Sequence, residues 1–253
     1  MPLIALPALT DNYIWMHVNA MGQAIVIDPG DAAPVIAACS QGIHPIAILL
    51  THHHADHVGG VAGLRAHYPS IRVYGPEHPQ IFADVHVGEG DVIHIKDREI
   101  QVIAVPGHTQ SHLAYYDSSH LFCGDTLFSL GCGRVFDGTV EALYMSLQRL
   151  CQLPGATRVC CGHEYTQANA LFATHVDAEN PALQHRCRQI HSLRQTGQAT
   201  LPVSLTEELA TNPFLRCHAP AIQSSVLRQF GQECASELAV FIALRFWKDQ
   251  FRS

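Results

Sequence analysis

Histidine and aspartate side chains are concentrated in one short segment, Thr51–His57 (THHHADH). His52 and His54 are two residues apart, so an extended chain points both side chains the same way. Asp56 and His57 follow at a turn and are expected to face a different neighbour. Imidazole and carboxylate groups are common ligands of zinc and other divalent transition metals. The segment therefore predicts a site that serves two adjacent metal ions.

Three further candidate ligands lie later in the chain, each two or three residues after a strand-like run: His108, Asp125 and His163. His52 also follows such a run. Ligands at the ends of successive strands gather along one edge of a sheet, which is a common place for sites in layered α/β proteins. The chain contains 18 histidines against 15 lysines and arginines together, which justifies the search for metal clusters.

The elements that must position these side chains are predicted from apolar periodicity and turn residues. Strands are predicted over residues 12–18, 23–27, 45–50, 71–74, 99–105, 112–116, 121–123 and 157–161, the last of these being the final strand. Helices are predicted over residues 32–39, 139–151, 168–178, 181–195 and 234–251, with helical spacing also over 58–64 and Thr139 as a cap. The change in pattern predicts two domains, a catalytic domain over residues 1–165 and a helical substrate-binding domain over 166–253.

The composition narrows the class of protein. The chain has 253 residues, of which 47% are hydrophobic, and a formal net charge of -7. This is enough apolar material for a full globular core, while the acidic balance argues against a nucleic-acid partner. The nine cysteines include no CxxC motif and predict reduced thiols. No signal peptide or membrane-spanning run is recognisable, so a cytoplasmic protein without a membrane partner is expected.

The motif HxHxDH followed by GHT, GDT and GHE in this order matches the metallo-β-lactamase superfamily. The match becomes narrower with further segments, which are 10–13 (TDNY), 51–60, 106–109 (PGHT), 124–128 (GDTLF), 131–134 (GCGR), 162–166 (GHEYT), 212–216 (NPFLR) and 248–251 (KDQF). With these segments the chain resembles the glyoxalase II family, the hydroxyacylglutathione hydrolases, from residue 10 to residue 251. The resemblance implies a four-layer αββα α/β sandwich with a smaller C-terminal all-helical domain.

The resemblance also implies two divalent metal ions, most often zinc, with iron or manganese as alternatives. The first ion is expected on His52, His54 and His108, and the second on Asp56, His57 and His163. Asp125 bridges both ions, and a bridging hydroxide held next to Asp125 and Asp56 is the implied nucleophile. The donor chemistry is consistent with this assignment, because three imidazoles and a carboxylate leave a coordination position open for water.

The implied reaction is hydrolysis of an S-(2-hydroxyacyl)glutathione, chiefly S-D-lactoylglutathione, to glutathione and D-lactate, the second step of methylglyoxal detoxification. The expected substrate-binding residues are Arg134, Tyr165, Arg245 and Lys248. Arg134 replaces a lysine that is common in the family, and Phe136 replaces a tyrosine of some members, leaving at most a packing contact there. The family further suggests that a monomer can work.

Several alternatives remain at this point. His53 is expected to point away from the metals, Cys132 is interpreted as structural, and His112 and Asp28 are candidates to orient a ligand. Superfamily members with similar ligands cleave other substrates, so a lactamase or a phosphodiesterase is the alternative function. An iron-dependent dioxygenase and a metal-binding or electron-transfer protein without hydrolysis are further alternatives.

Overall fold

The computed structural model describes residues 3–40 and 42–251. The chain divides into two compact units whose segments alternate along the sequence. The first unit comprises Met1–Val105, Ser111–Gly124 and Cys160–Glu164, and the second comprises Pro106–Gln110, Asp125–Val159 and Tyr165–Ser253. The division into domains at residue 165 stays a prediction.

The first unit contains ten strands and three helices among its described residues. In chain order these are β1 (Leu3–Ala8), β2 (Asn12–Val18), β3 (Gln23–Ile27), α1 (Ala32–Cys39), β4 (His44–Leu49), α2 (Ala55–Val58), α3 (Val61–His67), β5 (Arg72–Gly75), β6 (Val85–His86), β7 (Val92–Ile95), β8 (Arg98–Ala104), β9 (Leu113–Tyr116) and β10 (His120–Gly124).

One six-stranded sheet has the order β1-β2-β3-β4-β5-β6. Its first three strands pair antiparallel, and β3 to β6 pair parallel. Parallel strands buried on both faces are continuously apolar, which explains why β4 was recognisable as a run rather than an alternation. The apolar side chains of this sheet pack with α1 and α3 into a buried cluster that includes Val26, Val35, Ile48 and Leu64.

The second sheet of the first unit is antiparallel, with β7, β8, β9 and β10 adjacent in that order. Next to β10 lies the end of β13 (Arg158–Cys161). Gly162 N donates to the oxygen of Gly124 at 2.9 Å, so the ends of β10 and β13 are held side by side. Asp125 follows β10 directly and His163 is the second residue after β13, so both lie just after a strand, as the sequence predicted for these candidates.

The second unit is mainly helical. Before β13 it contains β11 (Leu127–Phe128), β12 (Gly131–Cys132) and α4 (Val140–Leu150); after β13 come α5 (Thr166–Val176), α6 (Pro181–Gln195), β14 (Val203–Ser204), α7 (Leu205–Thr211), a 3-10 turn (Pro213–Leu215), α8 (Pro220–Phe230) and α9 (Glu237–Gln250). Thr139 caps α4 by accepting from Ala142 N at 3.0 Å, as predicted.

The prediction that residues 157–161 form the last strand is wrong. The short strand β14 follows and pairs antiparallel with the beginning of β13, with Arg158 opposite Ser204 and Val159 opposite Val203. Two residues are too few to show a strand alternation in the sequence, so this pairing was not detectable from periodicity.

No described helix is long and apolar enough to span a bilayer.

Candidate metal centre

The segment Thr51–His54 follows β4 outside any helix or strand, with His54 extended, and α2 begins directly after it. His52 is fully buried, and its Nε2 lies 3.1 Å from Nδ1 of His54. Two imidazole nitrogens at this separation can bind one metal ion after a small adjustment, because ligand atoms about 2.1 Å from a tetrahedral metal are themselves about 3.4 Å apart. The geometry follows from the two-residue spacing of these histidines in the sequence.

Asp28 organises the base of this segment. Its carboxylate accepts from Thr51 N at 2.7 Å, from Thr51 Oγ1 at 2.6 Å and from His57 Nδ1 at 3.0 Å. The carboxylate therefore fixes a proton on Nδ1 of His57 and leaves Nε2 as the lone-pair atom. Thr51 Oγ1 in turn lies 3.0 Å from Nδ1 of His52 and orients that ring in the same way. The contact predicted for Asp28 is present.

A second group of candidate metal ligands converges on one carboxylate oxygen of Asp56. Oδ2 of Asp56 lies 3.5 Å from Nε2 of His57 and 3.4 Å from Nε2 of His163. Asp56, His57 and His163 each offer a ligand atom within 4.8 Å of the others. Two neutral imidazoles and a carboxylate are a donor set that fits zinc, iron or manganese, so the residues of the first unit suit a metal ion.

Asp11 and Asn12 support this group, although neither residue was predicted to have a role. Asp11 Oδ1 accepts from Nδ1 of His163 at 2.8 Å, which leaves Nε2 for a metal. Asn12 Nδ2 donates to Oδ2 of Asp56 at 3.0 Å. The TDNY segment was recognised as part of the family resemblance, but the roles of its residues depend on contacts with residues far away in the chain.

His112 and His53 lie beside the ligand candidates. The His112 ring stacks on His52 with centroids 4.6 Å apart, and its Nδ1 donates to the Leu113 oxygen at 3.0 Å. Gly124 packs so close that an added Cβ would lie 2.4 Å from Thr51 Oγ1, and its φ of +46° also favours glycine. His53 stacks instead on His78, with centroids 3.8 Å apart.

The second unit supplies His108 and Asp125, whose Nε2 and Oδ2 atoms are 3.6 Å apart. Nδ1 of His108 donates to the backbone oxygen of Arg134 at 2.8 Å, which again leaves Nε2 as the lone-pair atom. The Phe136 ring lies edge-on to His108 at 5.1 Å and is exposed, in agreement with a packing contact. His108 and Asp125 are thus arranged as a further pair of ligand candidates.

The predicted substrate-binding residues differ widely in exposure. Arg134 is exposed and its Nε is 3.5 Å from Asp249 Oδ1. Arg245 is buried, and it donates to the oxygen of Cys132 at 3.0 Å and to Asp249 at 2.8 Å. Its guanidinium therefore holds the segment that leads into Arg134. Burial raises the pKa of the Cys132 thiol, which fits the interpretation of this residue as structural.

Lys248 lies on α9 with its Nζ over the rings of Phe172 at 5.2 Å and Phe251 at 5.8 Å. Burial, together with the nearby charge of Arg245, lowers the pKa of this ammonium group to about 8. Tyr165 packs edge-on against Phe128, with centroids 5.1 Å apart. All four predicted substrate-binding residues belong to the second unit.

Comparison with known proteins gives two family matches that divide the chain between them. Residues 12–163 match the model described as metallo-beta-lactamase superfamily, and residues 164–251 match the model described as hydroxyacylglutathione hydrolase C-terminus. A protein from Xanthomonas euvesicatoria that is named hydroxyacylglutathione hydrolase is 55% identical over the full length of both chains. One from Xylella fastidiosa with the same name is 51% identical over 99% of this chain and 98% of its own.

Among solved structures, ETHE1 from Myxococcus xanthus is 25% identical, with a TM-score of 0.67 over 98% of this chain and all of its own. A protein named TTHA1623, solved in a di-iron-bound form, is 32% identical, with a TM-score of 0.53 over 64% of this chain and 92% of its own. These similarities, together with the mixed sheets and the helical C-terminal region, establish the fold class as an α/β sandwich of the metallo-β-lactamase type.

Proposed function

The chain belongs to the hydroxyacylglutathione hydrolase family of the metallo-β-lactamase superfamily, and we propose that its seven ligand candidates form one dinuclear metal centre. Its reaction is the hydrolysis of a glutathione thioester. We assign the preferred substrate as S-D-lactoylglutathione, with glutathione and D-lactate as products. The lactamase and phosphodiesterase alternatives do not fit the match over residues 164–251, which is specific to this family.

The observation that carries the proposal is the convergence of two imidazole Nε2 atoms on one oxygen of Asp56, at 3.5 and 3.4 Å. In both rings the other nitrogen is bound to a carboxylate, that of Asp28 or that of Asp11. An imidazole fixed in this way cannot turn its protonated nitrogen toward the acid, so the lone pairs are presented for a cation. Asp56, His57 and His163 would hold the second ion.

The first ion would be held by His52, His54 and His108, with Asp125 shared between the two ions. Asp125 directly follows Gly124, the last residue of β10, so the chain itself brings this carboxylate to the end of the strand. The di-iron form of one solved relative supports a count of two ions. Zinc is the proposed occupant, because imidazole-rich tetrahedral sites with one open position are typical of catalytic zinc.

When bound, the metal ions would polarise the thioester carbonyl and lower the pKa of water enough to supply a nucleophile at neutral pH. The side chains of the chain provide orientation and charge. Asp28, Asp11 and the Arg134 oxygen keep three imidazoles in the tautomer that can bind metal. A thiol has a pKa of about 8.5, so the glutathione sulfur can leave as a thiolate and needs no side chain as general acid.

The substrate carries two carboxylates, and we assign their binding to the cations of the second unit. Arg134 and Lys248 would contact the carboxylates, and Tyr165 would contact the peptide. Arg245 would act mainly through the backbone of Cys132 and Gly133, to which its guanidinium donates at 3.0 and 3.4 Å. This arrangement would place recognition of the peptide away from the reacting thioester. A cytoplasmic monomer remains our expectation.

The test is thioesterase turnover on S-D-lactoylglutathione, with metal content measured on the same sample. The wild-type chain should turn over with two ions bound. His54→Ala should lose metal and activity together, whereas His53→Ala should retain both, because the His53 ring stacks on His78. Absence of turnover with two ions loaded would exclude the proposed reaction. Retention of both ions by His54→Ala would exclude the ligand assignment.

A further inference from the structure

Asp249, near the end of α9, lies beside two arginines of the proposed substrate site. Its Oδ1 accepts from Nη2 of Arg245 at 2.8 Å, and the same oxygen lies 3.5 Å from Nε of Arg134. Arg245 and Asp249 are four residues apart on the helix, so their side chains share one face. One carboxylate oxygen therefore faces two guanidinium groups.

The two guanidinium groups differ in their surroundings. Arg245 is buried, and its Nη1 donates to the oxygens of Cys132 and Gly133 at 3.0 and 3.4 Å. These two residues directly precede Arg134, whose side chain is 66% exposed. Within residues 3–40 and 42–251, Asp249 is the only carboxylate at ion-pair distance from that side chain. Arg245 thus holds the backbone that carries Arg134, and Asp249 holds its guanidinium.

The contact with Asp249 is made on the Nε side of the Arg134 guanidinium. Arginine carries five N–H donors in a planar fork, so the two terminal nitrogens can still bind a carboxylate through two parallel hydrogen bonds. A long side chain loses rotamer freedom when it binds a ligand, and an ion pair formed beforehand removes part of that cost. Because an exposed ion pair contributes little to folding, the effect of this pair is expected in binding.

We propose that Asp249 is a positioning residue, which holds the Arg134 guanidinium in the orientation that binds a carboxylate of the glutathione thioester. The inference rests on the proposed function, because it requires Arg134 to contact this substrate. Asp249 itself does not contact the substrate in this arrangement, since its carboxylate is paired with the two arginines.

Charge alone leads to the opposite expectation for Asp249. Burial lowers the pKa of Lys248, and the charges of Arg245 and Arg134 lower it further, so three cations share one region. A carboxylate among these cations weakens their attraction for an anionic substrate, and its removal would strengthen that attraction. Positioning and charge therefore predict changes of opposite sign when Asp249 is neutralised.

The substitution Asp249→Asn separates these two effects by the sign of the change in KM. The asparagine retains an oxygen that can accept from Arg245 but loses the charge that faces Arg134. Positioning predicts that KM for S-D-lactoylglutathione rises about three- to tenfold, with kcat within about twofold of wild type. A KM that falls or stays the same would overturn the proposal. Glu233→Gln is the matched control, because it removes an equal charge from an exposed position in the same unit.

Two comparisons show whether the effect passes through Arg134 and a substrate carboxylate. S-D-lactoyl-N-acetylcysteamine contains the thioester but neither carboxylate, so Asp249→Asn should hydrolyse it with wild-type kcat/KM. In an Arg134→Gln background, Asp249→Asn should raise KM by less than about twofold, because the guanidinium that it positions is gone. Equal losses on the two thioesters, or full additivity in the double variant, would assign Asp249 to the fold and overturn the proposal.

Calorimetric titration with glutathione separates this proposal from the proposed function, since it requires no turnover. Glutathione carries both carboxylates, and its Kd should rise about three- to tenfold in Asp249→Asn but not in Glu233→Gln. If these Kd values were found in a chain that did not hydrolyse the thioester, the proposed reaction would fail and the positioning role would stand. Normal wild-type turnover with an unchanged glutathione Kd in Asp249→Asn would reject the positioning role alone.

Discussion

Replacement of Asp28 by asparagine should weaken the binding of one metal ion, although the side chain at this position would not contact the ion. Oδ1 of Asp28 accepts from Thr51 N at 2.7 Å, and Oδ2 accepts from both Thr51 Oγ1 and His57 Nδ1, at 2.6 and 3.0 Å. Asp28 has a φ of +51°, a conformation that asparagine tolerates as well as aspartate. The substitution therefore changes hydrogen bonding while it preserves the backbone.

The asparagine side chain has two orientations, and the backbone decides between them. With its NH₂ group toward Thr51 N, two donors would face each other, and a buried unsatisfied N–H costs about 1–3 kcal/mol. With the oxygen there, the NH₂ group faces Thr51 Oγ1 and His57 Nδ1. The Thr51 hydroxyl can rotate to accept a hydrogen bond from this NH₂ group, but the His57 ring must move its proton from Nδ1 to Nε2. A protonated Nε2 cannot bind a metal.

Removal of such an orienting partner typically weakens metal binding 10–100-fold, which corresponds to about 1.4–2.7 kcal/mol. Zinc affinity of Asp28→Asn should fall by this factor for one of two ions in a competition titration with a chromophoric chelator. Asp31→Asn is the control, since Asp31 only caps α1 by accepting from Ala33 N at 3.0 Å and asparagine is an equal cap. Wild-type affinity for both ions in Asp28→Asn would refute this reasoning.

Two further predictions concern charge. Lys248→Met should raise KM for the thioester about tenfold, with a smaller effect on kcat. Because the pKa of Lys248 is about 8, the wild-type KM should rise as the pH passes that value and the ammonium group loses its proton. A wild-type KM that does not depend on pH from 7 to 9 would contradict this prediction. Asp117→Asn should destabilise the fold by about 2 kcal/mol at pH 7 in urea unfolding. Burial raises the pKa of Asp117, but hydrogen bonds from His120 and His17 outweigh it and hold the pKa well below its usual value. A carboxyl group whose pKa is lowered by folding stabilises the folded state at pH values above its unfolded pKa of about 3.9. The loss of stability caused by Asp117→Asn should therefore shrink as the pH falls below about 4. A loss that does not depend on pH would point to packing instead.

The long elements were predictable because their patterns are local. Continuous apolar runs gave β2, β3 and β4, and apolar spacing with a threonine cap gave α4. One long element, the eleven-residue helix α8 (Pro220–Phe230), was missed in a stretch that had no predicted helix. The other elements that were not predicted are short or depend on partners. Leu3–Ala8 is a strand because it pairs with β2, and Val203–Ser204 is a strand because it pairs with β13. Such pairing is a tertiary property that periodicity does not report.

The candidate site shows the same division. Residue type and position after a strand pointed to the ligand candidates, and the family resemblance implied how they divide between two ions. Their orienting partners were harder to find, because Asp28 precedes His57 by 29 residues and Asp11 precedes His163 by 152. The partner of His108 is a backbone oxygen, that of Arg134, which no side-chain motif can reveal. Substrate recognition was also oversimplified, since a shared helix face did not predict that Arg245 is buried and Lys248 only partly so.

Histidine content alone does not identify a ligand, as two clusters of identical residue types illustrate. His17 and His120 both direct Nδ1 at Asp117, at 3.1 and 3.2 Å, and Arg98 is 3.4 Å from the same carboxylate. There the acid is the partner that orients both rings, and a neighbouring cation opposes a metal ion. In the candidate centre, His57 and His163 have separate orienting acids, so Nε2 of each can converge on Asp56. His57 and His163 are suited to bind a cation because one acid fixes the tautomer of each ring and a different acid, Asp56, faces both lone pairs.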